Sequence, residues 1–262
     1  MDARVWVVIP TYNEAMTIER VVGAVDAELE RLVPGEHRIL IVDDNSPDGT
    51  GELAERLATE MQAVDVLHRP GKSGLGQAYL AGFGHALARG AELLFEMDAD
   101  FSHDPRYLGD LLTAARDADL VLGSRYVPGG GVRDWSLIRR LISRGGSLYA
   151  RAILGVHVQD LTGGFKCIHR KVLESIDLPS VRAEGYVFQI EVTYRAVAAG
   201  FRVKEVPIVF VDRTQGASKM STRIALEAMW SVPRLRRTVE AALAPRGRQG
   251  EGVDVGLGDR AP

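Results

Sequence analysis

Cysteine is almost absent from this sequence, since Cys167 is the only one in 262 residues. An intramolecular disulfide framework is therefore excluded, and a lone thiol is typical of a reducing compartment such as the cytoplasm. Long apolar runs are missing too, because no stretch approaches the roughly 18 to 20 apolar residues that a transmembrane helix needs. The N-terminus enters a predicted strand without the pattern of a signal peptide. We expect a cytoplasmic protein that is soluble or peripherally bound to a membrane.

A strong charge of either sign is also lacking. The sequence has 32 Lys and Arg against 35 Asp and Glu, a formal net charge of -3, which gives no indication of a nucleic-acid partner. Hydrophobic residues make up 46% of the chain, enough for one α/β domain with a substantial core. Residues 244–262 are glycine-rich with few apolar side chains and predict a disordered tail. We find no repeat or linker in the rest and expect a single domain over residues 1–243.

The first half of the chain alternates between short apolar segments and helical patterns. The apolar segments predict strands at residues 5–9, 38–42, 64–68, 93–97 and 120–124. The helical patterns lie at residues 17–32, 50–61, 76–88 and 106–115. Beyond residue 131 the sequence predicts helices at 136–154 and 187–199, a short strand within 160–170 and a strand over 202–211. Such alternation predicts an α/β fold whose central sheet is mainly parallel and is covered by helices on both faces.

Carboxylates follow several of the predicted strands. PTYNE at 10–14, DDNSPDG at 43–49 and DADFSH at 98–103 come after the first, second and fourth strands. Ligands of parallel sheets bind at the carboxyl ends of the strands, so these segments predict a site. Asp98 and Asp100 are two residues apart on an extended segment, and their side chains should point the same way. Paired carboxylates suit Mg²⁺ or Mn²⁺, which in turn would hold the phosphates of a nucleotide.

Two aspartates in this spacing also allow other interpretations. An acidic turn can cap the next helix, although Asp104 before Pro105 can do so without Asp98 or Asp100. Phosphatases of the haloacid dehalogenase type also end a strand in DxD, and Ser102 stands at the offset of their Thr or Ser. That motif usually closes the first core strand, whereas here it closes the fourth. Its late position counts against the phosphatase class.

The motifs taken together resemble a known family. PTYNE, DDNSPDGT and DADFSH are similar to the corresponding segments of family-2 glycosyltransferases of the GT-A fold. A closer resemblance, to the dolichol-phosphate (polyprenol-phosphate) mannosyltransferases, covers residues 4–220 and rests on GLGQAYLAGFGHAL, GSRYVPGGGVRDW, LISRGG, DLTGGFK, GYVFQIE and FVDRTQGASK. It implies inverting transfer of mannose from GDP-mannose to a polyprenyl (dolichyl-type) phosphate, with Mg²⁺ or Mn²⁺ as cofactor.

The same resemblance implies the residues of the site. Contacts to the donor GDP-mannose are implied for Pro10, Tyr12, Glu14, Val42, Asp44, Asp98, Ala99, Asp100, Ser102, Arg125, Arg213, Ser218 and Lys219. The metal would be bound by Asp100 and by Ser102, where some members of the family carry Gln. The acceptor phosphate would be held by Arg125, Arg139 and Ser143. The expected catalytic residues are Asp98, Asp100 and Arg125.

Elementary chemistry is compatible with the donor residues. The carboxylates of Glu14 and Asp44 can accept hydrogen bonds from the donors of a guanine or a ribose. A nucleoside diphosphate gains negative charge as it leaves, and Arg213 and Lys219 in DRTQGASK can offset that charge, with Ser218 as a further donor. Without the family resemblance, this loop is equally typical of a solvated basic turn.

The acceptor residues have a comparable rationale. Arg139 and Ser143 are one helical turn apart and should share a face, and the planar fork of arginine suits phosphate oxygens. Taken alone, the arginines of this helix are more typical of a solvated face. A phosphate acceptor is already an anion, so no general base is expected. We therefore interpret three histidines as structural residues: His103, His157 and His169.

Residues 221–243 combine apolar and aromatic side chains with several arginines. Such a segment can lie at the headgroup level of a membrane surface or pack on its own domain, and both interpretations stay open. The resemblance implies a peripheral protein on the cytoplasmic face of the membrane and allows a membrane-anchoring partner subunit.

Two other functions also stay open. The same fold can transfer glucose or another sugar, or the chain can be a non-catalytic nucleotide-binding subunit of a membrane complex.

Overall fold

The computed structural model describes residues 4–181, 185–212 and 222–243. The strands in these ranges are Val5–Thr11 (β1), His37–Asp43 (β2), Val64–His68 (β3), Leu93–Glu96 (β4), Leu120–Ser124 (β5), Gly131–Arg133 (β6), Lys166–His169 (β7), Val203–Pro207 (β8) and Val209–Val211 (β9). The α-helices are Ile18–Leu32 (α1), Thr50–Glu60 (α2), Leu75–Ala88 (α3), Leu108–Ala114 (α4), Leu137–Leu154 (α5), Arg170–Ser175 (α6), Gly185–Ala198 (α7) and Thr222–Leu243 (α8). The predicted βα alternation is confirmed.

Seven of these strands form one central sheet, in the order β3-β2-β1-β4-β7-β5-β8. Neighbouring strands are parallel except at β7, which runs antiparallel to both β4 and β5. The predicted mainly parallel sheet is therefore confirmed. Because β1, β2, β4 and β5 run in the same direction, the polar segments that follow them meet at one edge of the sheet.

The sheet has a hydrophobic core on each face, because neighbouring side chains of a strand point to opposite sides. Trp6 and Val8 of β1 belong to the core formed with α3, α5, α7 and α8. Val5, Val7 and Ile9 belong to the core formed with α1, α2 and α4. Burial on both sides explains why β1 reads as a continuous apolar run rather than an alternating one.

The single strand predicted over 202–211 is wrong, since it is two strands in different sheets. β8 ends at Pro207, which has no backbone N–H with which to extend a ladder. The N–H of the next residue, Ile208, donates to the carbonyl oxygen of Ser124 at 3.0 Å. β9 then leaves the central sheet and pairs in parallel with β6. An apolar run alone could not predict this change of partner.

The C-terminal half of α8 packs on the domain. Val232, Leu235 and Val239 are buried in the core shared with α5 and α7, and Arg236 Nη1 donates to the carbonyl oxygen of Ile153 at 2.8 Å. Trp230, in contrast, is 73% exposed. No helix in the described ranges has both the length and the apolar content needed to cross a bilayer.

Gly82 marks the closest approach of α3 to the sheet, and replacing it with alanine should destabilise the fold. A Cβ at this position would lie 2.4 Å from Val8 Cγ1 and 3.1 Å from Val42 Cγ2. We expect Gly82→Ala to lower the free energy of unfolding by about 1 to 3 kcal/mol in urea titrations, because the buried valines must move.

Gly84 provides the matched control on the same helix. No heavy atom lies within 4 Å of the Cβ position there, so Gly84→Ala should raise the free energy of unfolding by up to about 1 kcal/mol through helix propensity. Equal effects of the two substitutions would contradict the tight packing of α3 on β1 and β2.

Candidate active site

A cleft of about 400 Å³ opens at the carboxyl edge of the central sheet. Nine of the predicted site residues line it: Pro10, Tyr12, Glu14, Asp44, Asp98, Ala99, Asp100, Arg125 and Arg139. Three others are buried and do not line it, namely Val42, Ser102 and Ser143. Arg213, Ser218 and Lys219 lie outside the described residues, as does the predicted tail at 244–262. Segments far apart in sequence thus meet where the strand ends predicted a site.

A tight turn after β4 holds the two aspartates at the cleft. The backbone N–H of Asp98 donates to His103 Nδ1 at 3.1 Å, and the N–H of Ser102 donates to Asp100 Oδ1 at 2.9 Å. Phe101, between Asp100 and Ser102, takes a positive φ of 61°, which is uncommon for a bulky residue. The structural interpretation of His103 agrees with this contact, but His103 also lines the cleft. Its ring fixes the backbone from which Asp98 projects.

The polar atoms of this turn fit a divalent cation. Asp100 lines the cleft, and Ser102 Oγ is buried without a hydrogen-bond partner among the residues that the structure describes. No group of three or more His, Cys, Asp or Glu side chains gathers into a cation site within those residues. Mg²⁺ typically takes one or two carboxylates and completes its shell with water and substrate phosphates. Asp100 and Ser102 match that incomplete type of site.

Behind the turn lies a buried ion pair between β4 and β7. Lys166 Nζ is 3.4 Å from Glu96 Oε2 and donates to the carbonyl oxygen of Gln189 at 3.2 Å. Burial lowers the pKa of Lys166 and raises that of Glu96, while their mutual attraction opposes both shifts. Tyr79 Oη also donates to Asp98 Oδ1 at 3.4 Å, and burial followed by the charge of Asp98 raises the pKa of this tyrosine. Buried polar contacts thus connect the aspartate turn to β7, α7 and α3.

The side of the cleft next to β1 and β2 carries the predicted nucleotide contacts. Arg69 Nη1 donates to Asp44 Oδ1 at 2.5 Å. Burial raises the pKa of Asp44, and the charge of Arg69 partly opposes that shift. Lys72 Nζ lies 4.1 Å from the ring centroid of Tyr12. Neither Arg69 nor Lys72 could be singled out from the sequence, because these partners are more than twenty residues away along the chain.

Arg125 lies at the centre of the cleft in a buried ion pair with Asp160, and the two residues are 6% and 0% exposed. Arg125 donates from its backbone N, Nε and Nη2 to the Asp160 carboxylate at 2.7 to 2.9 Å. Burial alone would raise the pKa of Asp160, but the charge and hydrogen bonds of Arg125 hold that pKa below its ordinary value. Burial lowers the pKa of Arg125, but the charge and hydrogen bonds of Asp160 raise it by more. The pKa of Arg125 therefore lies above its ordinary value. Both groups therefore stay charged at neutral pH.

Two of the three predicted acceptor residues, Arg139 and Ser143, lie on α5, and the third is Arg125. Arg139 and Ser143 share a face of the helix, as expected. Arg139 forms an ion pair with Asp212, and its guanidinium carbon lies 4.1 Å from the ring centroid of Trp135. Ser143 Oγ accepts a hydrogen bond from Tyr126 Oη at 2.6 Å. At this end of the cleft, Arg125 and Arg139 lie beside aromatic rings and each is paired with an aspartate. The end at β1, β2 and β4 carries carboxylates that line the cleft, together with Lys72.

Several cleft residues were missed when only the sequence was considered. Five that line the cleft lie within the motifs that carried the family resemblance: Trp135, Thr162, Tyr186, Gln189 and Phe210. Asp160 lies in one of the same motifs, is fully buried and binds Arg125 without lining the cleft. The signal was present, but the sequence does not reveal which of these residues face the cleft. Asp160 in particular was not recognised, because its partner Arg125 is 35 residues away.

Comparison with known proteins agrees with this arrangement. The sequence profile described as glycosyl transferase family 2 matches residues 6–177. The chain is 50% identical over 231 residues to the polyprenol monophosphomannose synthase of Mycolicibacterium smegmatis, covering 87% of this chain and 85% of the relative. It is 48% identical over 231 residues to the undecaprenyl-phosphate mannosyltransferase of Micrococcus luteus, covering 88% of this chain and 93% of the relative.

A solved structure shares the fold at much lower identity. It is a mannosyltransferase from Pyrobaculum calidifontis in complex with GDP-Man and Mn²⁺, and it is 19% identical to this chain. The superposition has a TM-score of 0.56 and covers 95% of this chain and 76% of the other. The predicted α/β architecture is therefore confirmed independently of close sequence similarity.

Asp160→Asn should destabilise the protein strongly, because it leaves the Arg125 guanidinium buried without a carboxylate. Removing one member of a buried ion pair costs about 3 to 5 kcal/mol, and we expect a loss of that size in the free energy of unfolding measured with urea.

The double variant Arg125→Gln/Asp160→Asn removes both charges of the ion pair while keeping two polar side chains of similar size. It should be more stable than Asp160→Asn, because no uncompensated charge is left buried. If Asp160→Asn unfolds at the wild-type urea concentration, the pair does not support the cleft in the way that its geometry indicates.

Proposed function

The chain belongs to glycosyl transferase family 2, and we propose that it transfers mannose from GDP-mannose to a polyprenyl phosphate with inversion at the anomeric carbon. The observation that carries this proposal is the similarity to two relatives, about half identical, whose names specify mannose and a polyprenyl acceptor. The cleft supports it, because carboxylates that suit a nucleotide and a metal follow β1, β2 and β4, and two arginines that suit a phosphate, Arg125 and Arg139, line the same cleft. A nucleotide sugar and an anionic acceptor can bind there side by side.

The donor nucleotide is assigned to the end of the cleft at β1 and β2. Asp44 is held by Arg69, and its carboxylate suits the adjacent N–H donors of a guanine base. Glu14 offers a second acceptor for the base or ribose, and Tyr12 offers a ring face. Asp98 and Ala99 would then lie beside the sugar and the diphosphate. Arg213, Ser218 and Lys219 keep their predicted role as donors to the leaving diphosphate.

Asp100 and Ser102 are the residues that we assign to a divalent cation. When bound, Mg²⁺ or Mn²⁺ offsets the negative charge of the diphosphate. The turn after β4 orients the carboxylate of Asp100, because the backbone N–H of Ser102 donates a hydrogen bond to Asp100 Oδ1. The buried pair behind this turn keeps its backbone in place.

The acceptor phosphate is assigned to Arg139 and Ser143 on α5, with Arg125 between acceptor and donor. A phosphate oxygen of the acceptor forms the new bond to the anomeric carbon of mannose, the bond from that carbon to the diphosphate breaks, and GDP leaves. The attacking oxygen is already ionised, so no side chain has to remove a proton. The arginines reduce the repulsion between the acceptor phosphate and the donor diphosphate.

A polyprenyl chain partitions into a bilayer, so the enzyme must meet its acceptor at a membrane surface. We infer that the protein works peripherally on the cytoplasmic face of the membrane, where nucleotide sugars are available. A membrane-anchoring partner subunit remains part of this proposal. The exposed Trp230 on α8 is compatible with either arrangement, since tryptophan favours the membrane interface and also protein interfaces.

Transfer of labelled sugar tests the proposed donor and acceptor. Purified protein, a short-chain polyprenyl phosphate and Mg²⁺ or Mn²⁺ are incubated with GDP-mannose, GDP-glucose or UDP-glucose, each labelled in the sugar. We expect label in the organic phase only from GDP-mannose, and none after EDTA or in the folded Asp100→Ala variant. Label from UDP-glucose would assign the enzyme to glucose transfer instead. GDP-mannose binding without transfer from any donor would favour a non-catalytic subunit.

Arg139→Gln tests the acceptor site in the same assay. Loss of a charged hydrogen bond to the acceptor phosphate should raise the acceptor KM roughly 10- to 100-fold, while the KM for GDP-mannose stays near the wild-type value. Arg116→Gln is a matched control, because Arg116 is exposed and lies between α4 and β5 at the opposite edge of the sheet. Equal increases in both KM values would place Arg139 in the donor site.

A further inference from the structure

The solvent face of α5 is unusually apolar. Leu137, Ile138, Leu141 and Leu148 are 75%, 71%, 72% and 62% exposed. At 100° per residue, Leu137, Leu141 and Leu148 project within about 40° of one another. A cluster of large apolar side chains on a surface helix is typical of an interaction site, because water disfavours such a patch.

Two arginines border this apolar face. Arg140 and Arg144 are one helical turn apart and line a groove of about 530 Å³ together with Tyr126 and the loop 127–132. Arg140 Nη2 donates to the carbonyl oxygen of Val132 at 3.2 Å, and the guanidinium carbon of Arg144 lies 5.8 Å from the ring centroid of Tyr126. Within the described residues, neither arginine has a carboxylate at ion-pair distance. The positive charges of Arg140 and Arg144 in the groove are therefore not compensated by a carboxylate of the described residues.

The order of side chains around α5 relates the groove to the active site. Arg139 lines the proposed acceptor end of the cleft, and Ser143, one helical turn further on, is buried. Around the helix, Arg140 and Arg144 come next, and the exposed leucines follow them. Arg125 lines both the cleft and the groove. Around its circumference, α5 therefore presents three surfaces in order: the proposed acceptor site, the cationic groove and the apolar face.

We propose that the groove of Arg140 and Arg144 binds the phosphate of an anionic membrane phospholipid while the leucines of α5 insert at the bilayer surface. This inference rests on the proposed function, which brings the protein to a membrane. Charge complementarity favours a phosphate ligand, and the adjoining leucines favour one that is part of a bilayer over a free anion. Such docking directs the acceptor end of the cleft toward the lipid.

Sedimentation with vesicles tests this proposal. Wild-type protein and the Arg140→Gln/Arg144→Gln variant are mixed with vesicles of phosphatidylcholine alone or with phosphatidylglycerol added. Two arginines near an anionic surface should account for about 30-fold in affinity, so the variant should bind the anionic vesicles about 30-fold more weakly. Binding to neutral vesicles should be the same for both proteins, because it depends on the leucines.

Arg89→Gln/Arg116→Gln is the matched control. It removes the same charge from two exposed positions at the opposite edge of the sheet and should bind anionic vesicles like the wild type. A second variant, Leu141→Ser/Leu148→Ser, should weaken binding to both kinds of vesicle. The proposal is overturned if Arg140→Gln/Arg144→Gln binds anionic vesicles as tightly as the wild type, or if the control loses as much affinity.

Transfer to a short, water-soluble polyprenyl phosphate without vesicles separates the two possible sources of the bound phosphate. The rate should be unchanged in Arg140→Gln/Arg144→Gln if the groove binds phospholipid. A rise in acceptor KM would assign the groove to the acceptor and overturn the phospholipid proposal. Selective binding of anionic vesicles by a wild-type protein that transfers no sugar would support the groove and contradict the proposed function.

Discussion

The cleft depends on one buried interaction, the ion pair between Arg125 at the end of β5 and Asp160. Taking two charges out of water is costly, and only close, well-directed hydrogen bonds offset that cost. Asp160 receives three such bonds from Arg125, and its backbone N–H donates to the carboxylate of Glu205 on β8 at 2.9 Å. The end of β5, the middle of β8 and the segment before β7 are thereby tied together. The guanidinium carbon of Arg125 also lies 5.3 to 5.6 Å from the ring centroids of Tyr126, Trp135 and Phe210.

Different strand ends supply the acidic and the basic side chains that line the cleft. The ends of β1, β2 and β4 supply carboxylates such as Asp44 and Asp100, and the end of β5 together with α5 supplies Arg125 and Arg139. A reaction between a sugar diphosphate and a phosphate brings two anions together, so charges of opposite sign must be placed between them. The parallel sheet provides such placement, because strands that run together release their loops at the same edge.

A single helix joins the chemistry to the proposed membrane contact. On α5, Ser143, a proposed acceptor residue, is buried, Arg144 borders the groove, and Leu148 is exposed. The helix is fixed from behind by α8, whose buried side chains pack against it. A contact made on the exposed face would therefore act on a rigid element, and the acceptor residues would keep their positions relative to the sheet.

Most strands of the central sheet, most of the helices and the carboxylates at the strand ends could be predicted from the sequence, because they follow from local periodicity and from side chains near in sequence. The sequence also identified the family, which comparison with known proteins confirmed. Three features became apparent only in the folded structure: the antiparallel course of β7, the separation of β9 from β8, and the pairing of Arg125 with Asp160. The exposed leucines of α5 likewise became apparent only in the fold, and the sequence left open whether residues 221–243 lie on a membrane surface or pack on the domain. Those features depend on contacts between residues distant in sequence, and such contacts exist only once the chain has packed.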